Sequence, residues 1–358
     1  MTRPWDFAAV EAQVQQHRPL VGQDLRGVDG RGRALEGAVF SRCDLRGTRW
    51  QDSLLRTVTF AECDLRGAGL AGARLETVSF SHSRLEGSTW AAVRSVGLAC
   101  SECELQDSAW PGARVERSVF AQARLQDADW ADAQLARTAF SGCGLAGTKW
   151  RGASVTQCAF SGADLRQACL AGLRARATVF IRALFTGQWL AGAELPQCTL
   201  QGADFSGADL RGADLRGANA LGARFEGTDL REANAPGIML AQATLSGCTL
   251  DRARLAGAVL QKAHLTHCSL READLGSTVW DRAQLTDVDL HGAELSHSRW
   301  ANARALRADF ASACLAHADL HGAAFTDCGW EGAQLTEVRK TQPALAAAER
   351  RSLELEDA

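Results

Sequence analysis

Twelve Cys and eight His are spread over the 358 residues; these are the side chains best suited to redox, nucleophilic or metal chemistry. Cys100-Ser-Glu-Cys103 has the spacing of a redox motif or half a zinc site. No second pair and no nearby His completes it. His264, His267, His291, His297, His317 and His321 cluster late in the chain, and His297, His317 and Glu337 recur every 20 residues. Such a column could hold a metal only at an open surface, without the shell of second contacts that normally fixes metal ligands. No nucleophile with an adjacent base, phosphate-binding loop or pair of carboxylates in a cleft accompanies these residues. The expectation is a protein that is not an enzyme and holds no cofactor or metal.

The elements that place these side chains are set by a repeat of five. Every fifth position from Leu25 to Leu335 is Leu, Phe, Trp or Val, apart from Gly30, Ser95, Cys100, Ala175, Ala220, Ala235 and Ala305. Two residues earlier stands a small residue, Ala, Cys, Ser, Thr or Val, apart from Gln23, Arg33, Leu98, Leu173, Gln188 and Ile238. A period of five fits neither a helix at about 3.6 residues nor a strand at 2. It demands a turn every few residues, with the small and large residue pointing inward and the other three outward. Gly27, Gly47, Gly67, Gly87 and Gly147 sit where such a turn needs a permissive backbone.

A second period sorts the pentapeptides into faces. Phe recurs at 40, 60, 80, 120, 140, 160 and 180, and Trp at 50, 90, 110, 130 and 150. A coil of four short sides puts residue n beneath n + 20, and the two ladders on opposite sides of a square. Stacked at about 4.8 Å, about 16 coils would make a rod on the order of 75 Å long. The large Trp rings predict a wider or distorted coil in the N-terminal half. In this register Cys43, Cys63, Cys103, Cys143, Cys158, Cys198, Cys248, Cys268 and Cys328 fill small inward slots and Cys100 a large one. Only Cys169 and Cys314 point out. Parallel stacked thiols have poor disulfide geometry, so reduced core fillers are expected. All six clustered His fall on outward positions.

Segments such as Ala203-Asp204-Phe205-Ser206-Gly207, Ala208-Asp209-Leu210-Arg211-Gly212 and Ala213-Asp214-Leu215-Arg216-Gly217 resemble the pentapeptide-repeat family. The resemblance implies an all-β fold, a right-handed quadrilateral β-helix, over 23–337. Outside the repeat, 1–22 reads as a capping helix from Pro4 to His17, with Phe7, Val10 and Val14 on one face, and 338–358 as a C-terminal helix or tail. An open solenoid end exposes core and strand edges, so caps are expected. After Phe180 the Phe ladder moves to 185, 205 and 225, which predicts a packing change or kink near 181–198.

The 39 basic and 42 acidic residues leave a net charge of -3, so nothing general favours nucleic acid or an anionic membrane. Met1 to Gln16 lacks the apolar core of a signal peptide, and no apolar run is long enough to span a bilayer. A bacterial cytoplasmic protein is expected. Function must then lie on the surface. The face centred on 40, 60 and 80 carries no charge between Ser118 and Gly162, and Val119, Ala139, Ala159 and Val179 form its outward column. This is a candidate protein interface, unless its short side chains make it too shallow to bind. The face centred on 55 and 75 carries Arg74, Arg94 and Arg114 in a ladder, joined by Arg117 and Arg137. It reads as either a solvated face or a basic strip for an anionic partner.

Three functions fit. The first is a non-catalytic scaffold that binds protein through the faces or ends of a rigid rod; a homodimer through an end or the uncharged face belongs to this reading. The second, implied by the family resemblance, is a DNA-mimicking gyrase or topoisomerase binder. That needs dense acidic faces, whereas the most charged strip here is basic. The third is an accessory or adaptor of a bacterial secretion system. The register itself has a direct test. Leu165→Asp would bury an unpaired charge in the stacked column, so its thermal unfolding by circular dichroism should shift sharply downward; an unchanged melting temperature would place Leu165 outside and invalidate the register.

Overall fold

The computed structural model, described for residues 5–342, is a parallel β-solenoid of about 15 turns. It divides into two compact units, Met1–Leu184 and Phe185–Ala358. Within each, the hydrogen-bonded neighbour of residue n is n + 20: Phe40 pairs with Phe60 and Arg114 with Gln134 in the first, Leu245 with Leu265 in the second.

The coil turns because its corners adopt one unusual conformation. Residues whose numbers end in 2 or 7, from His17 to Glu337, have φ between 48° and 72°; among the described residues only Gln167 departs from the series. Gly meets this requirement without strain, as at Gly97 (φ 72°). Thr57 and Thr77 meet it too, at 53° and 56°, although the left-handed region costs an L-residue about 1–2 kcal/mol. What offsets that cost is the next coil: the corner N–H of Thr57 donates to the carbonyl of Glu76 at 2.8 Å, and that of Arg42 to Ala61 at 2.9 Å. The following residue closes the turn, as where the Thr48 N–H donates to the Leu45 carbonyl at 3.2 Å. Asp in the motif reinforces the corner. Asp209 accepts from the Arg211 backbone N–H at 3.1 Å while its carboxylate takes a fork from the same guanidinium at 2.9 and 2.6 Å. Those bonds hold its pKa below the usual carboxylate range.

In the first unit two adjacent sides of the coil form continuous strands of two or three residues. One is a seven-stranded sheet from Leu20–Val21 to Ala139–Ser141, the other an eight-stranded sheet from Ala34–Glu36 to Arg174–Arg176. In the second unit the strands follow a different side of the sequence register, six of them from Arg224–Glu226 to Ala324–Thr326.

The Trp and Phe ladders share the core without breaking the register. Trp90, Trp110, Trp130 and Trp150 stack at 4.2, 4.5 and 5.3 Å between ring centroids. Their edges meet the opposite Phe rings, as in Trp110–Phe120 at 5.8 Å and 83°, the geometry that aromatic quadrupoles favour. Two exceptions in the sequence are volume exchanges. Leu98 with Cys100, and Leu173 with Ala175, swap large and small between the two inward slots, and all four are buried. Gly30 is a third. α1, Phe7–Gln15, is capped by Asp6, which accepts from the Ala9 N–H at 2.9 Å, and it brings the Phe7 ring against Trp50. A Cβ on Gly30 would lie 2.6 Å from the Trp50 ring and 3.2 Å from Phe7. The Trp50 ring, with Phe7 of the capping helix beside it, therefore occupies the space that Gly30 leaves. The expected C-terminal cap falls on residues that lie, from 343 onward, outside the described range. Within it, Arg339 bridges Asp319 and 338–342 are not helical.

Each buried indole needs a partner for its N–H. Thr48, Ser88, Ser108, Thr148, Thr278 and Ser298 accept from Trp50, Trp90, Trp110, Trp150, Trp280 and Trp300 at 2.7–2.9 Å. The same hydroxyls donate to the carbonyl three residues back, as Ser108 does to Leu105 at 2.7 Å. Trp130 has Ala128 in that slot, and its indole N–H is buried with no partner. Ser108→Ala should therefore lower stability by about 1–3 kcal/mol and Ala128→Ser should raise it by about 1 kcal/mol, both read from chemical denaturation. A destabilised Ala128→Ser protein would show that packing, not the missing bond, governs this slot.

Candidate interaction surfaces

Of the twelve Cys, Cys169 is exposed, Cys143, Cys314 and Cys328 are half-buried and the others are buried. Burial pushes the Cys103 and Cys143 thiols up to about 11 and Cys100 well above its ordinary value, so these thiols stay protonated at neutral pH and are poor nucleophiles. His297 and His317 do stack, at 4.9 Å and 8°, and His317 Nδ1 lies 3.1 Å from the Glu337 carboxylate. His321, expected outside, is instead buried, because it sits under the last described turn, where its Nδ1 accepts from the Gln342 N–H at 3.3 Å. Among the described residues no group of three or more His, Cys, Asp or Glu is placed to hold a metal ion, and no helix is long and apolar enough to cross a membrane.

The seven-stranded sheet of the first unit forms the uncharged face. Val119 pairs with Ala139, Ala139 with Ala159 and Ala159 with Val179, so the expected column exists. Val119 is 45% exposed and Val39, on the same column, 42%. The uncharged strip is longer than its central stretch. In the two strand columns, from Val39 to Val179 and from Ser41 to Ile181, every outward side chain is Val, Ile, Thr, Ser or Ala, while the corner positions beside them include Arg42, Glu62, Glu102 and Arg182.

The eight-stranded sheet lies on the adjoining side. Arg74, Arg94 and Arg114 are direct neighbours across its strands, followed by Gln134, Ser154 and Arg174. Beside them runs the column Glu76, Val96, Glu116, Ala136 and Thr156, and between the two lies an open groove of about 670 Å³. Arg117 and Arg137 are not part of this row. Both occupy left-handed corner positions between the two sheets and share the Glu116 carboxylate at 3.3 and 3.4 Å. The basic strip read from the sequence is thus an open Arg row on the sheet and a separate, carboxylate-paired pair on the corner. The residues around them that line the groove, Val96 above all, carry no sequence signal of their own; only the register shows them.

The pentapeptide-repeat family model matches the chain in eight copies, over 35–69, 138–172, 178–217, 208–247, 238–276, 263–299, 289–327 and 306–339. No curated protein matches it. Among solved structures it is similar to HetL, a pentapeptide repeat protein involved in heterocyst differentiation regulation from the cyanobacterium Nostoc sp., at 18% identity over 93% of this chain and 96% of that one, with a TM-score of 0.27. It is similar also to full-length QnrB1, a plasmid-mediated fluoroquinolone resistance protein, at 18% identity over 67% and 98%, with a TM-score of 0.31, and to Rfr23 from the cyanobacterium Cyanothece 51142, at 14% over 47% and 94%, with a TM-score of 0.17. The longest stretch that the repeat model skips, 70–137, holds Trp90, Trp110, Trp130 and the Leu98–Cys100 exchange, yet its strands keep the 20-residue register of their neighbours. With eight copies of the repeat across most of its length, and the stacked four-sided coil that those copies require, the chain belongs to the pentapeptide-repeat family.

Proposed function

We propose that the protein is a non-catalytic scaffold that binds a partner protein through the first unit, at the corner where the uncharged sheet and the arginine sheet meet. The observation that carries this reading is the charge-free double column from Val39 to Ile181. Exposed sheets normally carry charges that block association, and the strands of this one, with Val21, Val39 and Val119 exposed, have none. Its area also says what kind of partner fits. Seven strands about 4.8 Å apart and three residues wide cover roughly 300 Å², well under the ~800 Å² that each side of a stable interface buries. Two copies meeting face to face would be held weakly. A different protein that folds over the corner, past Thr57, Thr77, Gly97, Arg117 and Arg137, reaches the second sheet as well and roughly doubles the buried surface. Location in a bacterial cytoplasm belongs to the same proposal.

The triple variant Val119→Lys, Ala139→Glu, Ala159→Lys changes only outward positions, so its circular dichroism spectrum and melting temperature should stay close to wild type. Partner capture in pull-downs from the native cell should be lost. Light scattering on the purified chain separates the two kinds of partner: a dimer that the variant dissolves would replace the heterologous partner by a second copy. Capture unchanged in the variant would remove the uncharged face from the interface.

A further inference from the structure

We infer that the groove on the eight-stranded sheet is a binding site for an extended acidic protein segment, with Arg74, Arg94 and Arg114 as its charge contacts. The inference rests on the scaffold reading and deepens it, since it names the chemistry of the partner segment that reaches the second sheet.

Like charges set directly opposite one another across strands are destabilising, and many other Arg of this chain are compensated by a carboxylate. Arg46, Arg66, Arg211, Arg216 and Arg231 each fork onto the Asp two residues earlier. Arg56, Arg252 and Arg307 pair with a carboxylate one coil away. Arg74, Arg94 and Arg114 do neither. They stack on consecutive rungs about 4.8 Å apart, outward and exposed, and no carboxylate among the described residues lies within salt-bridge distance of them. The acids across the groove are already engaged: Glu76 with Arg56 at 2.8 Å, and Glu116 with Arg117 and Arg137. The row is therefore a positive edge with its charge uncompensated, beside a groove within the size range of a ligand site.

The opposite wall selects the ligand. It presents Val96, 44% exposed, between Glu76 and Glu116, then Ala136 and Thr156. A nucleic acid strand would bring phosphates along this acidic wall as well as along the Arg row. An extended peptide separates its two edges, because successive side chains point to opposite sides. Acids at every second position face the guanidiniums, and small or apolar residues between them meet Val96, Ala136 and Thr156. Alternate residues of a strand lie about 6.7 Å apart and the three Arg rungs span about 10 Å, a mismatch that long Arg side chains absorb. Fork contacts from guanidinium to carboxylate are among the stronger charged hydrogen bonds.

The test is fluorescence anisotropy on the full chain with a labelled peptide of alternating Glu and Ala. Wild type should bind it, with affinity falling as salt rises. The double variant Arg94→Gln, Arg114→Gln should weaken binding by at least about tenfold, and its melting temperature should hold or rise because repulsion between rungs is removed. A peptide of alternating Gln and Ala should not bind. The triple variant of the uncharged face should bind the acidic peptide like wild type, so that this site and the uncharged face fail or stand separately. Equal affinity of wild type and the double Arg variant would overturn the proposal, as would a labelled single-stranded oligonucleotide binding more tightly than the acidic peptide.

Discussion

The left-handed corner is the constraint on which the rest of the structure depends. A chain that must turn after every few residues cannot rely on glycine alone, and here the same φ is adopted by Thr, Arg, Glu, Gln, His and Asp. Each pays a local penalty that a single turn would not repay. Stacking repays it, because the corner N–H finds a carbonyl on the next coil, and that coil's corner finds one on the coil after. The conformation is thus stable only as part of a stack. This is why such repeats form solenoids rather than isolated turns, and why a helix at the N-terminal end that sets Phe7 against Trp50 over Gly30 matters to the first coil.

The core shows the same dependence on neighbours. A ring of Trp in a slot made for Leu or Phe is accommodated by stacking along the ladder and edge contact across it, and its polar atom is met by a hydroxyl from the small slot two residues earlier. Where a large residue enters the small slot, at Leu98 and Leu173, the large slot shrinks to Cys100 and Ala175. At these two pentapeptides volume is exchanged between the inward slots, as close packing requires, rather than the residue type being kept at either position.

The exterior is free of these demands, and its columns therefore differ. Because residues 20 apart are neighbours, a substitution made at one rung creates a column property only if it recurs at the same place in the next coil. On the seven-stranded sheet the recurring property is absence of charge; on the eight-stranded sheet it is three consecutive Arg. Both surfaces are regular to the same pitch, and they meet along one corner, where Glu116 gathers Arg117 and Arg137.

Much of this was legible before any coordinates. The period of five fixed which residues point inward, and the period of 20 fixed which of them stack; both are local rules that tolerate no insertion, so Val119 over Ala139 over Ala159 and Arg74 over Arg94 over Arg114 follow by counting. What counting could not reach depends on distances between side chains far apart in sequence or on how long side chains bend. The sequence places Arg117 and Arg137 with the other Arg, but only the folded corner turns them onto Glu116. It marks Gly30 as an exception, but only the packing of Phe7 against Trp50 explains it. It puts His321 outside, whereas the final described turn covers it. Whether an Arg row has carboxylates within reach, and whether a groove lies beside it, are properties of three-dimensional spacing. For that reason the tertiary structure alone turned a run of basic residues into a candidate site.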